Sequence, residues 1–127
     1  MIDHVSSAVR DLQGCARCYE TVLADLGYVR LAARPATIGF GKKYPEFWLN
    51  ERRAMTPVDV DSGSHICLRA PSVEAVQAFH EAALKCGGAS EGAPGPRSGQ
   101  IAGYYAAFIR DPEGNRIEAA TFTSASG

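Results

Sequence analysis

Tyr104-Tyr105-Ala106-Ala107-Phe108-Ile109-Arg110, then Asp111-Pro112-Glu113-Gly114-Asn115, then Arg116-Ile117-Glu118-Ala119-Ala120 reads as strand, tight turn, strand. The two flanking runs hold the aromatic and β-branched residues, and the Pro, Gly and Asn between them are turn formers. Side chains alternate along a strand, so Ile117 and Ala119 share one face while Arg116, Glu118 and Ala120 share the other. With Ile117 and Ala119 on a helix-covered core, Glu118 faces a second surface. A carboxylate held mid-strand is exposed, paired, or bound to a metal. The rest of the chain supplies the candidate partners.

A chain of 127 residues fits one compact domain with a sizeable core. Apolar residues make up 46% and charged residues 21%, ordinary values for a globular protein. A formal net charge of -1 argues against a nucleic-acid partner, which calls for a basic patch or stripe. No apolar run approaches the length of a membrane span, so no membrane partner is expected. The start, Met1-Ile2-Asp3-His4, lacks the basic and apolar regions of a signal peptide, and a cytoplasmic protein is expected. Cys15 and Cys18 are spaced like a redox or zinc pair, but they fall inside a predicted helix and no second such pair completes a zinc site. They are expected to pack as small buried hydrophobes.

Residues 2–9 read as a strand carrying His4. Asp11 is the expected N-cap of a helix whose stripe is Leu12, Cys15, Tyr19, Val22, Leu23 and Leu26, with Gly27 as its stop. Extended segments are expected over residues 28–31, 37–41 and 46–50, and residues 51–63 form the linker. The order then restarts. Residues 64–69 read as a strand, Ser72 caps a helix lined by Val73, Val76, Phe79, Ala83 and Leu84, and Gly87-Gly88 ends it. Residues 89–103, rich in Gly, Pro and Ser, are expected to form a long loop before the terminal hairpin, and residues 123–127 a polar tail.

Laying His4 on His65 also lays Val5 on Ile66, Glu20 on Glu81, Leu23 on Leu84 and Gly27 on Gly88. This is a duplicated module with a histidine at an equivalent place in each copy, and its period is too long for a solenoid. Either histidine alone would read as solvated or as a satisfied partner. At matched positions, and on the face opposite Val5 and Ile66, they join Glu118 as two imidazoles and a carboxylate. That donor set suits non-haem Fe(II), Mn(II) or Zn(II) with open coordination positions.

Ile2-Asp3-His4-Val5 with its helix and Gly27-Tyr28, Ser64-His65-Ile66, and Asp111-Pro112-Glu113-Gly114-Asn115-Arg116-Ile117-Glu118 together resemble the vicinal oxygen chelate superfamily. That superfamily includes glyoxalase I, the type I extradiol dioxygenases, fosfomycin-resistance transferases and bleomycin-resistance proteins. The resemblance spans nearly the whole chain. It implies an α+β fold of two βαβββ modules, at about residues 1–56 and 57–127 of a single domain. Their strands would curl into a cup-shaped mixed sheet with helices on the outer face.

It also implies a divalent metal (Fe, Mn, Zn or Ni) held by His4, His65 and Glu118, and a homodimer. In glyoxalase I a glutamate on the last strand of the first module is a fourth ligand. Here Trp48 falls at that place with Glu46 two residues away, so a three-ligand site fits better. Trp48, Tyr104 and Tyr105 are candidates to wall the cup; alternation puts one tyrosine on the cup and the other on the core, and Tyr105 is the one expected there. Arg97 would bind an anionic substrate group from its loop, against the bland reading of a solvated arginine. Arg116 shares the Glu118 face and is expected either to pair with it or with substrate, or to end a hairpin in solvent. Cys67 shares the face of His65, and His80 is expected at the surface. No separate acid or base stands out. The implied function is a metal-dependent enzyme acting on a small oxygen-chelating substrate, of lyase, isomerase or dioxygenase type. The alternative is a metal-free small-molecule binder of the bleomycin-resistance type.

Overall fold

Leu12, Cys15, Ala16, Tyr19 and Val22 recur every three or four residues, and this stripe buries one side of helix α1 (Leu12–Val22). Ala75, Val76, Phe79 and Ala83 do the same for α2 (Val73–Lys85). Each helix begins on the cap read from the sequence: Asp11 accepts from Gly14 N, and Ser72 accepts from Ala75 N. Leu84 departs from expectation and is 46% exposed. One residue beyond Ala83, it is turned about 100° off the buried stripe.

A computed structural model describes residues 1–59, 61–98 and 101–123. The strands are β1 (Val5–Val9), β2 (Val29–Arg34), β3 (Thr37–Gly41), β4 (Pro45–Glu51), β5 (Ile66–Arg69), β6 (Ala89–Pro96), β7 (Tyr104–Arg110) and β8 (Arg116–Phe122). They form two four-stranded sheets, in the orders β1-β4-β3-β2 and β5-β8-β7-β6. In each sheet the first strand runs parallel to the last, and the other pairs are antiparallel. The fold is therefore α+β, a βαβββ pattern traced twice. The two mixed sheets are not closed on each other, and residues of β1 and β5 line a cleft of about 420 Å³ between them. Among the described residues no helix is long and apolar enough to cross a membrane.

Three of the departures from the expected boundaries have a local cause. The first strand begins at Val5, opposite Phe47, rather than at Ile2. Extending it backwards would set Asp3 against Pro45, which has no N–H to offer. The segment expected as a long loop holds strand β6, paired to β7 alone with register breaks at Ser90/Gly92 and Gly92/Gly95. An edge strand with bulges tolerates the Gly and Pro that made it read as loop. Gly87 rather than Gly88 is the left-handed counterpart of Gly27 (φ 98° and 88°). The first helix is followed by a 3-10 turn at Ala24–Leu26 before its glycine stop, and the second is not.

The helices pack on one side of the sheets and against each other, so one core runs through both halves, with Tyr19, Phe40 and Phe47 from the first and Phe79, Ile109 and Ile117 from the second. Two devices tie the halves at polar points. Cys18 of α1 is bonded to Cys86 at the end of α2, with 5.4 Å between their α-carbons, a normal span for a disulfide. No local signal marks this pairing, since the partners are 68 residues apart. The second device is the turn between β7 and β8. Asp111, buried, accepts from the Tyr19 hydroxyl at 2.7 Å, from Asn115 Nδ2 at 3.0 Å, and from the backbone N–H groups of Glu113 and Asn115. Asn115 Nδ2 also donates to the Ala8 carbonyl on β1, and Arg10 Nε donates to Glu113 at 2.8 Å. Burial holds the Asp111 carboxyl above its ordinary pKa in spite of these donors, and it pushes the Tyr19 hydroxyl well up as well.

Two outcomes test this seam. Tyr19→Phe deletes the donor and leaves Asp111 short of one bond, so the urea midpoint should fall by the equivalent of about 1.5–3 kcal/mol. Reducing the Cys18–Cys86 bond, or Cys86→Ser under oxidising conditions, should cost about 4 kcal/mol for a closed loop of this length. Equal denaturation curves with and without reductant would show that the bond adds nothing to the packing beneath it.

Candidate functional site

Ile117 and Ala119 lie in the core, which turns Glu118 to the opposite, open face of the second sheet, as alternation requires. The register sets Glu118 between Phe108 on β7 and Cys67 on β5. Its side chain is nevertheless buried, because neighbours on that face cover it. His65 Nε2 lies 3.1 Å from Oε1, and the Tyr104 hydroxyl donates to Oε2. Of the three states open to a mid-strand carboxylate, this one is paired.

An aromatic and cationic lining surrounds the carboxylate. Phe108 lies beside His65, with ring centres 6.5 Å apart, and Tyr104 meets Phe122 edge-on at 5.1 Å. The guanidinium of Arg97 sits 5.0 Å over Phe108, and that of Arg69 sits 4.7 Å over Phe122. The Cys67 thiol is pushed up to about 12, first by burial and then by the Glu118 charge and hydrogen bond. Burial, with the bond to Glu118, also raises the Tyr104 hydroxyl. Both groups are therefore neutral at physiological pH, and Tyr104 donates to the carboxylate.

The expected site residues are distributed unevenly. His65 and Glu118 meet. His4 does not join them: it is exposed at the start of the chain, with Nδ1 2.7 Å from the neighbouring Asp3 carboxylate. Among the described residues no three His, Cys, Asp or Glu side chains are grouped so as to hold a metal. Glu118 and His65 suit a divalent cation as two of its donors, but one chain does not assemble the three-ligand set.

Trp48 lies on the open face of the first sheet, where its ring covers Gly39 so closely that a β-carbon there would come within 2.9 Å of it. Arg34 stacks 5.6 Å over that ring. Glu46 lies on the same face by alternation, and the Tyr28 hydroxyl is pushed up to about 12 by burial first and by Glu46 second.

Tyr105, expected to wall the cup, points the other way. It packs against the core, and its hydroxyl accepts from Gln77 of α2. Tyr104 takes its place. The hairpin register carries this in the sequence: a five-residue turn sets Arg110 against Arg116 and Phe108 against Glu118, which puts Tyr104 on the Glu118 face. Arg97 is not on a loose lid, because its Nη2 is tied to the carbonyls of Ala93 and Ala106. Glu91 and Arg110, an ion pair on this side of the sheet, were not anticipated. Glu91 belongs to a bulged edge strand without a clear alternation, so no signal marked it.

The effect of this environment on the Cys67 thiol is testable. Although the residue is exposed, its thiol should react with an alkylating reagent at pH 8 at least tenfold more slowly than a free thiol near its ordinary pKa. Glu118→Gln should speed that reaction. A wild-type rate equal to that of a small free thiol would show that the carboxylate does not hold the proton.

No family model matches the sequence, and comparison with curated proteins finds no match. Solved structures do match. A glyoxalase/bleomycin resistance protein from Albidiferax ferrireducens T118 is similar at 31% identity and TM-score 0.83, over 94% of this chain and 97% of that one. A glyoxalase/bleomycin resistance protein/dioxygenase family enzyme from Burkholderia phytofirmans PsJN (17% identity, TM-score 0.72, 96% and 98% covered) shares the fold. So does the fosfomycin resistance protein FosX from Mesorhizobium loti (18%, TM-score 0.69, 99% and 95% covered). The first of these likenesses extends over almost all of both chains, and on it this protein belongs to the glyoxalase/bleomycin resistance protein family, within the vicinal oxygen chelate superfamily.

Proposed function

We propose that the open face around Glu118 is a small-molecule site, and that the protein is a divalent-metal-dependent enzyme acting on a small oxygen-chelating substrate, of lyase, isomerase or dioxygenase type. The supporting observation is a buried carboxylate on the solvent side of a sheet with an imidazole 3.1 Å away, ringed by aromatic side chains. Buried carboxylates are costly, and placing one where it serves no core contact points to a ligand. His65 and Glu118 would be two of the metal donors and His4 the third, with Fe, Mn, Zn or Ni as the candidate ions. A cation bound there would supply Lewis acidity toward adjacent substrate oxygens. The protein's own groups would orient the substrate, with Phe108 and Tyr104 as walls, while the Tyr104 hydroxyl, which donates to Glu118, would hold that carboxylate in place. A homodimer belongs to this proposal, since His4 lies apart from the other two donors within one chain.

A second reading, a metal-free binder of the bleomycin-resistance type, is favoured by one specific observation. His65 and Tyr104 already satisfy both oxygens of Glu118 without an ion. Metal analysis of protein purified without chelators separates the two. The enzyme reading expects near-stoichiometric metal in the wild type and its loss in Glu118→Ala and His65→Ala. It also expects stabilisation by Mn(II), Fe(II) or Zn(II), about 2.7 kcal/mol at a hundredfold excess over Kd. Equal metal content in wild type and Glu118→Ala, with stabilisation by aromatic compounds alone, would leave the binder.

A further inference from the structure

Beside His65 a cleft of about 350 Å³ is lined by Ser64, His65, Glu91, Phe108 and Arg116, within the size range of small-molecule sites. Two guanidinium groups meet one carboxylate at its wall. Arg110 Nε lies 2.7 Å from Glu91 Oε1, and Arg116 Nε lies 3.5 Å from the same oxygen. The first is a close ion pair. The second is too long for a charge-assisted hydrogen bond. Arginine cannot shed its proton, so the trio carries one positive charge more than Glu91 cancels. Both side chains are about one-third exposed (34% and 32%), so that charge is held partly out of water. Arg97, stacked over Phe108 with Nη2 spent on two backbone carbonyls, adds to the positive potential without offering that donor to a ligand. Glu118 does not line this cleft. Arg116, Ser64 and His65 also line the neighbouring cleft between β1 and β5, so a group held at Arg116 stands next to His65.

We infer that Arg116 is the anion anchor of this site, and that the small molecule it takes carries a carboxylate on an apolar, ring-sized body. The carboxylate binds the planar fork of Arg116 while Glu91 stays with Arg110, and the body lies against Phe108 and the His65 ring. This rests on the open face being the binding site, but not on a metal being there.

The probes are benzoate and its neutral isostere benzamide, titrated by calorimetry into the wild type, Arg116→Gln, and Arg17→Gln as an exposed-helix control. Each titration is run in EDTA and again with saturating Mn(II). Benzoate is expected to bind at least tenfold more tightly than benzamide, Arg116→Gln to lose at least tenfold in benzoate affinity, and Arg17→Gln to behave as wild type. In case Arg116→Gln fails to fold, the Arg116 Nε–H resonance of the wild type is expected to shift with benzoate and not with benzamide. Equal binding of the two probes, no benzoate binding, or an unmoved Arg116 signal would overturn the inference. Benzoate binding that needs Mn(II) and ignores Arg116→Gln would also overturn it while leaving the metal reading intact. Arg116-dependent binding that is the same in EDTA and in Mn(II) would uphold it and leave the metal reading to the metal analysis.

Discussion

The position of everything on the open face depends on the buried Asp111 carboxylate at the turn between β7 and β8. Four donors converge on it, one of them from α1 in the other half of the chain. Asn115, held by Asp111, in turn bonds the Ala8 carbonyl on β1. A turn fixed at both ends sets the register of the hairpin, with Arg110 against Arg116, and a strand slipped by one residue would send Glu118 into the core. The same carboxylate thus links the halves and aims the site. Its elevated pKa shows what this costs: burial outweighs four hydrogen bonds in setting the proton's affinity.

The two open faces are built alike but furnished differently. In both, arginines lie over aromatic rings: Arg34 over Trp48 in the first sheet, Arg97 over Phe108 and Arg69 over Phe122 in the second. Such stacks hold a charge over an apolar surface without burying it fully. The second sheet adds to this the carboxylate of Glu118 with its imidazole and phenol partners. In the first sheet, the equivalent ground is taken by an indole packed closely on Gly39. The carboxylate with an imidazole partner is therefore found in one half of a duplicated fold.

Much of this was legible in the residues. The two helical stripes, their caps Asp11 and Ser72, and the duplication around His4 and His65 follow from spacing alone, because helix period and cap chemistry act locally. The face of Glu118 followed from Ile117 and Ala119. What escaped was non-local. The Cys18–Cys86 bond joins residues far apart in sequence, and Cys18 in isolation looks like any small buried residue. Strand β6 escaped because it pairs on one side only and breaks register twice, so glycine and proline cost it little. The exchange of Tyr105 for Tyr104 is different in kind, since the turn length already contained the answer and counting back from Glu118 through the hairpin yields it.

The separation of His4 from His65 has its cause in the strands beside them. Both histidines stand one residue before the first strand of their module, and both first strands run parallel to the last strand of the same sheet. In the second module Cys67 pairs in register with Glu118, so the imidazole two residues earlier reaches a carboxylate on the adjacent strand. In the first module Ser6 pairs with Trp48 at the matching place. An indole face has no acceptor for a ring N–H, so His4 turns to the neighbouring Asp3 in solvent. One substitution between the duplicated strands, a carboxylate in one and an indole in the other, is enough to make equivalent histidines unequal. The second module holds its imidazole against a carboxylate of the sheet, while the first leaves its own against a neighbour in the chain.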